Sequence, residues 1–373
     1  NQMAFTILLF GTLYPNQVLS ISFICPLLLQ LVSYFCTEHK WIVQKLVLIG
    51  LMFIYFKKVN LISLLFFNIL RKLYGLIFIF GFIVQDLINL KLPELTIHYA
   101  PRILFVILFI VFYIQCLKHF KWKYLLILFV PLLEIYCNPF FQVYTLNLGQ
   151  ADCSVIVEPF HKSVVMIDCG QNLYRDNVER IIMPFLENKN IHTIDTLILT
   201  HDDFDHNGGY DSLKDKIEIK QVIEDSNDKV NVDYPFYLLL SEREAKDTND
   251  SSIISYFTYD HLTYLFMGDA SKQVERQLMS EYDLKADVIK VGHHGSNTSS
   301  DPDFLDSLDC KIALISCGYK NKYGHPSVET LKTLENLHIN TLCTSDCGSI
   351  AIYSLHHLSF LVTNDGMFGI IWT

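Results

Sequence analysis

The chain has 373 residues, a formal net charge of −10, and 51% hydrophobic against 18% charged residues. A mean hydropathy of +0.29 is unusual for an ordinary soluble enzyme, and so apolar a composition excludes intrinsic disorder. The averages conceal a division: up to Phe140 there are 11 Lys and Arg against 4 Asp and Glu, a balance of +7, whereas from Phe141 onward 18 stand against 35, a balance of −17, which excludes a basic nucleic-acid module as the dominant theme.

Residues 1–140 therefore read as a helical membrane region and 141–373 as an acidic globular domain. The opening NQMAF enters an apolar stretch without a basic n-region or cleavage pattern, so it does not look like a secretory signal peptide, and the expectation is the tail of a longer membrane protein. A bilayer core takes about 20 apolar helical residues, with about 17 as a lower bound. Residues 17–36, 73–92, 101–117 and 124–141 meet that length, and 41–56 is marginal. Residues 59–70 are too short and are flanked by Lys57, Lys58, Arg71 and Lys72, which suits an interfacial or re-entrant segment. Pro26 inside the first span reads either as a kink or as a break lining a cavity.

Basic loops stay cytoplasmic. Lys57, Lys58, Arg71, Lys72, Lys118, Lys121 and Lys123 fall on one side, against Lys40, Lys91 and Arg102 on the other. This asymmetry runs the last span outward and puts the acidic domain outside the cytoplasm, in a multi-pass protein of the cell membrane. Glu134 lies near the outer end of that span, where a water-facing carboxylate is expected.

Beyond Phe141 the sequence breaks into short β-rich runs that end in polar turns: FQVYTLNLG, CSVIVEP, SVVMIDCG, TIDTLILTH, LTYLFMGD, ADVIKVGHH and CKIALISCG. Helical patterns intervene at Asn177–Glu187, Lys272–Tyr282 and Ser327–Leu337. Strands alternating with helices predict an α/β layered domain. The ten cysteines show no paired CxxC spacing, and Cys343 with Cys347 in CTSDC is the nearest approach, so buried free thiols are expected.

Chemistry gathers where strands end. After TLILT come His201, Asp202, Asp203, Asp205 and His206, followed by Gly208 and Gly209. Imidazole nitrogens and carboxylate oxygens suit Zn²⁺, Mn²⁺ or Fe²⁺, and the absence of cysteine argues against a structural zinc. A solvated loop could carry the same letters by chance. Asp269 in GDAS and His293 with His294 in HHGS end two further strands, and three such clusters at successive strand ends form a constellation.

HDDFDH, GDAS and HHGS in this order resemble the metallo-β-lactamase fold, a four-layer αββα sandwich with a metal site at one edge. FQVYTLNLGQADCSVIV followed by VVMIDCG, NDSSIISYF ahead of the GD strand, and NKYGHPS at a helix start resemble the C-terminal domain of ComEC-type competence channels for DNA uptake. The preceding apolar region is similar in topology to the end of that family's competence domain. There are three departures. Asp203 stands where the general fold motif has a second histidine, as is common in the ComEC branch. Ala151 replaces a glycine in GQAD and leaves Asp152 in place. Nothing in these 373 residues is expected to correspond to that family's N-terminal domain or to much of its channel.

The resemblance implies roles residue by residue. His201 and Asp203 would serve one metal position and Asp205 with His206 the second, with Asp269 bridging and either His293 or His294 completing the set. Asp168 would be a carboxylate behind the ligands. Asp152 could line the site, and His325 could contact a phosphate, assist protonation or be structural. The implied activity is a two-metal phosphodiesterase, a nuclease acting on DNA with Zn²⁺ or Mn²⁺. Its implied partners are a transient DNA single strand, the lipid bilayer and other uptake proteins or a separate channel portion. The alternatives are a hydrolase of another phosphodiester and a non-enzymatic transport or assembly component. The −17 balance opposes DNA handling, and Lys290, Lys311, Lys320 and Lys322 are the candidates for a local basic rim.

Overall fold

The computed structural model describes residues 20–36, 39–60, 96–98, 101, 103–173, 175–240 and 248–371. The chain divides into two compact units, one over Asn1–Cys137 with Glu187–Asn190 and one over Asn138–Leu186 with Ile191–Thr373.

In the first unit, helices α1 (Ile21–Phe35), α2 (Lys40–Phe56) and α3 (Ile103–Lys118) have 15, 17 and 16 residues. At about 1.5 Å per residue they fall short of a hydrocarbon core of about 30 Å. Among the described residues no helix is long and apolar enough to cross a membrane. The expected span at 73–92 lies outside the described residues, as does 61–70. Residues 58–60 of the basic-flanked segment form no helix: strand β1 (Lys58–Asn60) pairs antiparallel with β2 (Thr96–His98). The expected span at 124–141 is not one helix either. A 3₁₀ segment (Trp122–Phe129) gives way to the short α4 (Val130–Tyr136), because Pro131 lacks an N–H and fits only a helix's first turn. Helix α3 is apolar all round: Phe105, Phe109 and Phe112 are buried, whereas Ile107, Ile110, Val111 and Ile114 are exposed. Such a helix belongs in a large core or a membrane.

The second unit is built on two sheets. The first contains β3 (Phe141–Thr145), β4 (Ser154–Val157), β5 (Val164–Ile167), β6 (Thr193–Ile198), β7 (Glu218–Ile223), β14 (Ile350–Leu355), β15 (Leu358–Thr363) and β16 (Phe368–Ile371), in the order β16-β15-β14-β3-β4-β5-β6-β7. The second contains β8 (Phe236–Leu239), β9 (Ile254–Tyr259), β10 (Leu262–Phe266), β11 (Val288–Lys290), β12 (Ile312–Ile315) and β13 (Asn340–Cys343), in the order β13-β12-β11-β10-β9-β8. Strands β5, β6 and β7 run parallel, as do β10 to β13, while the remaining neighbours are antiparallel.

Alternation of side chains assigns the faces. Val143, Ile156, Ile167 and Ile198 of the first sheet meet Phe257, Tyr264, Phe266 and Leu314 of the second in a shared core. On the outer face of the first sheet, Tyr144, Val155, Met166 and Leu197 pack against Val178, Ile182 and Leu186 of the helical run at 178–188. On that of the second, Leu265, Ile289 and Ala313 pack against Leu278, Phe304 and Leu334 of three helices: α5 (Lys272–Glu281), α6 (Pro302–Leu308) and α7 (Val328–Asn336). The result is the expected αββα sandwich, covered on both sides, which explains why strands β3, β4 and β5 are buried throughout. All ten cysteines are free thiols.

Glu275 of α5 anchors the segment after the paired histidines. Its carboxylate accepts from Ser300 N at 2.8 Å and Asp301 N at 2.6 Å. Burial raises its pKa to about 7, with the Asp301 carboxylate adding to the rise and the two backbone donors opposing it. A raised folded-state pKa contributes stability that is complete below the ordinary glutamate value and is lost as pH rises through the folded value. Between pH about 4.5 and about 7, stability is therefore expected to fall by at most about 3 kcal/mol on account of this residue. Denaturant unfolding across that range should show a smaller decline for Glu275→Gln than for wild type.

Candidate metal centre

The centre lies where strands of both sheets end. Asp168 follows β5, His201 to His206 follow β6, Asp269 follows β10, and His293 and His294 follow β11, while Asp152 precedes β4. Several of these turns need unusual backbone. Asp168, His293 and His294 all have positive φ, at 61°, 49° and 52°, a cost of order 1–3 kcal/mol each that surrounding structure must hold in place. Gly170 admits the Asp205 carbonyl so closely that a Cβ there would lie 1.8 Å from its oxygen.

Three imidazoles are held in the same way. His206 is fully buried, and its Nδ1 lies 2.8 Å from Asp168 Oδ2. His201 Nδ1 faces Thr200 Oγ1 at 3.1 Å and Ser252 Oγ at 3.3 Å. His294 Nδ1 faces the Ser316 carbonyl at 3.0 Å. Each Nδ1 is thereby engaged from behind, and each Nε2 is left facing the centre. This is how ligating histidines are oriented. Thr200 ties the set together, since its hydroxyl also meets both Asp168 oxygens at 3.0 and 2.9 Å, and its amide donates to Oδ1 at 2.8 Å.

Asp269 sits between the histidines. Its Oδ1 lies 3.1 Å from His206 Nε2 and its Oδ2 3.8 Å from His294 Nε2. Asp205 Oδ2 lies 3.3 Å from His294 Nε2. Donor atoms of four groups come within 4.8 Å of one another: His201, His206 and Asp269; Asp205, His206 and His294; Asp152, Asp269 and His294; and Asp152, Asp168 and His206. Although buried, Asp152 Oδ1, His201 Nε2, His206 Nε2, Asp269 Oδ1 and His294 Nε2 have no aligned hydrogen-bond partner. Five orphaned donor atoms around one point would be costly unless a cation met them, and this nitrogen and oxygen set fits a divalent one.

Electrostatics point the same way. Burial alone would raise the Asp269 pKa, but His206 and His294 outweigh it and hold the carboxyl well below its usual range. Burial would lower that of His206, yet Asp269 and Asp168 push it well above the usual imidazole value. The carboxylates stay ionised and draw positive charge into the centre.

The remaining candidates are placed as follows. Asp203 Oδ2 lies 3.7 Å from His201 Nε2, but Asp203 joins none of the four donor groups, and its carbonyl accepts from His206 N and Asn207 N at the start of the short helix Phe204–Asn207. Of the paired histidines His294 joins the donor groups, whereas His293 is partly exposed, with Nε2 3.8 Å from Asp269 Oδ2. The His325 ring stacks near His294, with centroids 6.5 Å apart. Asp152 is buried against Lys290, Oδ2 to Nζ 2.7 Å, so Lys290 is no part of a basic rim. Lys311 pairs with Asp287 at 3.0 Å and leaves the rim as well. Thr200, Ser252 and the Ser316 carbonyl are the supports that sequence reasoning missed. Thr200 alone carried a signal, standing directly before His201.

Residues 146–253 match the metallo-beta-lactamase superfamily. The layered sheets and the strand-end donors are those of a metallo-β-lactamase fold, and with this match they support a metal-dependent hydrolase. The chain is 30% identical over 251 residues to ComE operon protein 3 of Bacillus subtilis (strain 168), covering 56% of this chain and 32% of that protein. It is 30% identical over 185 residues to Competence protein ComA of Neisseria gonorrhoeae, covering 45% of this chain and 26% of that one. It is 26% identical over 232 residues to Recombination protein 2 of Haemophilus influenzae, covering 58% and 29%. These relatives and the superfamily match support a ComEC-type competence protein with a C-terminal metallo-β-lactamase domain. It spans less than a third of the length of these relatives.

Asp168→Asn replaces the acceptor that holds the proton on His206 Nδ1. Loss of such an outer carboxylate is expected to weaken metal affinity by about 10- to 100-fold while the fold persists, as measured by metal titration followed calorimetrically.

Proposed function

We propose that this is a membrane-bound competence protein whose second unit is a metal-dependent nuclease, degrading the DNA strand that is not transported. The observation that carries the reading is the convergence of three oriented imidazoles on Asp269, beside an open cleft that Asp205 also lines. His201, His206 and Asp269 would hold one cation, and Asp205 with His294 a second. Asp269 would serve both, since one oxygen faces His206 and the other His294. Asp203 adds an oxygen beside His201, which shifts preference toward harder ions and leaves Zn²⁺ and Mn²⁺ as the candidates. When bound, such ions supply Lewis acidity toward phosphoryl oxygens and a nucleophilic water at neutral pH.

The chain's own groups do the rest. Asp168 and Thr200 hold the proton on His206 Nδ1 and orient the ring, so that Nε2 is the atom a cation would displace the second proton from. Asp152 and Lys290 neutralise each other behind the histidines, and Asp152 thus acts by positioning. His325, flanked by the rings of His293 and His294, would be the group to give a proton to the leaving oxygen, although burial and those two rings lower its pKa. The all-round apolar α3 supports a bilayer as the environment of the first unit, and the Lys and Arg asymmetry of the sequence supports a multi-pass arrangement with the second unit outside the cytoplasm.

The full chain, incubated with end-labelled single-stranded and duplex DNA and either Mn²⁺ or Zn²⁺, is expected to cleave DNA. His206→Ala should lower the rate by at least about 10³-fold. Absence of cleavage by wild type with both metals would overturn the reading. Turnover of small phosphodiester reporters alone would favour a different phosphodiester as substrate. Protease treatment of intact cells should remove the second unit, and protection would refute the outward orientation.

A further inference from the structure

The loop between β12 and α7 carries side chains that neither the core nor the metal centre uses. Tyr319 and Tyr323 are 73% and 58% exposed, and across the cleft Phe204 is 47% exposed. Together with Asp205 and Lys322 they line a cleft of about 530 Å³. Three exposed aromatic rings around one cleft on a strongly acidic domain are costly unless something flat covers them.

The loop is held rigid by one side chain. Asn321 donates from Nδ2 to the Gly318 carbonyl at 2.9 Å and to the His325 carbonyl, and its Oδ1 accepts from Tyr323 N at 3.2 Å and His325 N at 3.0 Å. Gly318 N donates to Gln150 Oε1 at 3.1 Å, which fixes the loop's base. The rings are therefore presented in a set position.

Charge is arranged on the same loop. Lys320 Nζ lies 5.2 Å from the Tyr319 ring centroid and Lys322 Nζ 4.9 Å from that of Tyr323. Among the described residues neither ammonium meets a carboxylate, whereas Lys214, Lys216, Lys220, Lys272, Lys290 and Lys311 are each paired with one. The platform is also continuous with the centre: the Tyr323 ring stacks near His325 at 5.8 Å, and His325 near His294 at 6.5 Å.

Exposed rings interleaved with free lysines match the chemistry of unpaired nucleotides, whose bases stack on aromatic faces while cations track the backbone. A duplex keeps its bases stacked on each other and offers no such faces. We propose that the 318–325 loop and Phe204 form a stacking platform for single-stranded DNA, seating bases next to the phosphate at the metal centre on Tyr319 and Tyr323 and flanking phosphates on Lys320 and Lys322. The platform rests on the nuclease reading only for which phosphate is cut; strand binding can be measured without it.

The test uses the full chain in the presence of a chelator, which stops cleavage, and fluorescence anisotropy with three labelled probes of equal length: oligodeoxythymidine, the same backbone with abasic sites, and a blunt duplex. Wild type is expected to bind the thymidine strand about 10-fold or more tighter than the other two. Tyr323→Ala and Tyr319→Ala should each weaken thymidine-strand binding by about 5- to 150-fold, the range for one stacked base, while leaving abasic binding unchanged. Tyr323→Phe should restore it. Lys320→Ala and Lys322→Ala should weaken thymidine and abasic strands equally and flatten the salt dependence. Equal affinity for thymidine and abasic strands, equal affinity for the duplex, or no effect of the tyrosine truncations would overturn the platform. If the binding pattern holds but wild type cuts no DNA with Mn²⁺ or Zn²⁺, the nuclease reading fails and the platform stands. Cleavage without tyrosine dependence sinks the platform alone.

Discussion

The metal centre depends on one buried contact, the hydrogen bond between Asp168 and His206. Asp168 belongs to the end of β5 and His206 to the turn after β6, both in the first sheet, while the Nε2 face of the same ring looks toward Asp269 of the second. A single imidazole thus couples the two sheets. The positive φ of Asp168, the close approach allowed by Gly170 and the Thr200 hydroxyl all serve to hold that ring, because a fully buried histidine with a free tautomer would serve neither the fold nor a cation.

Much of this was legible from residue order. Strand-end His201, Asp205, His206 and Asp269 were readable because a run of β-branched and leucine residues ending in polar ligand types has few other uses. The choice between His293 and His294 was not, since it turns on the Ser316 carbonyl, 22 residues away in sequence. Lys290 was misread as a surface cation. Its position two residues after the inward-facing Val288 carried the signal that it points into the protein. Strand β7, with its exposed Glu218 and Lys220, escaped notice because an edge strand need not look apolar. In the first unit, apolar length alone suggested a span at 124–141, but Pro131 and Pro139 divide that stretch into short pieces.

The acidic balance of the second unit becomes less of an obstacle to a polyanionic substrate once charges are located. Asp168, Asp205 and Asp269 belong to the metal centre, and most lysines near the motifs are spent on carboxylates. Lys320 and Lys322, which meet no carboxylate among the described residues, sit on the loop that also carries exposed rings. Net charge describes long-range steering, whereas contact with a strand is decided within a Debye length of the cleft.

The buried pair of Lys290 and Asp152 joins residues 138 positions apart and links β11 of the second sheet to the turn before β4 of the first. Removing either partner would strand a charge in the interior, so the pair cannot form piecemeal. Closing so long a loop comes late in folding, because its entropy must be met before the contact repays it. The donor atoms in front of this pair are consequently brought together only when both sheets have docked. A partly folded chain would expose isolated histidines but no cage, and the capture of metal would report that the whole domain has reached its final topology.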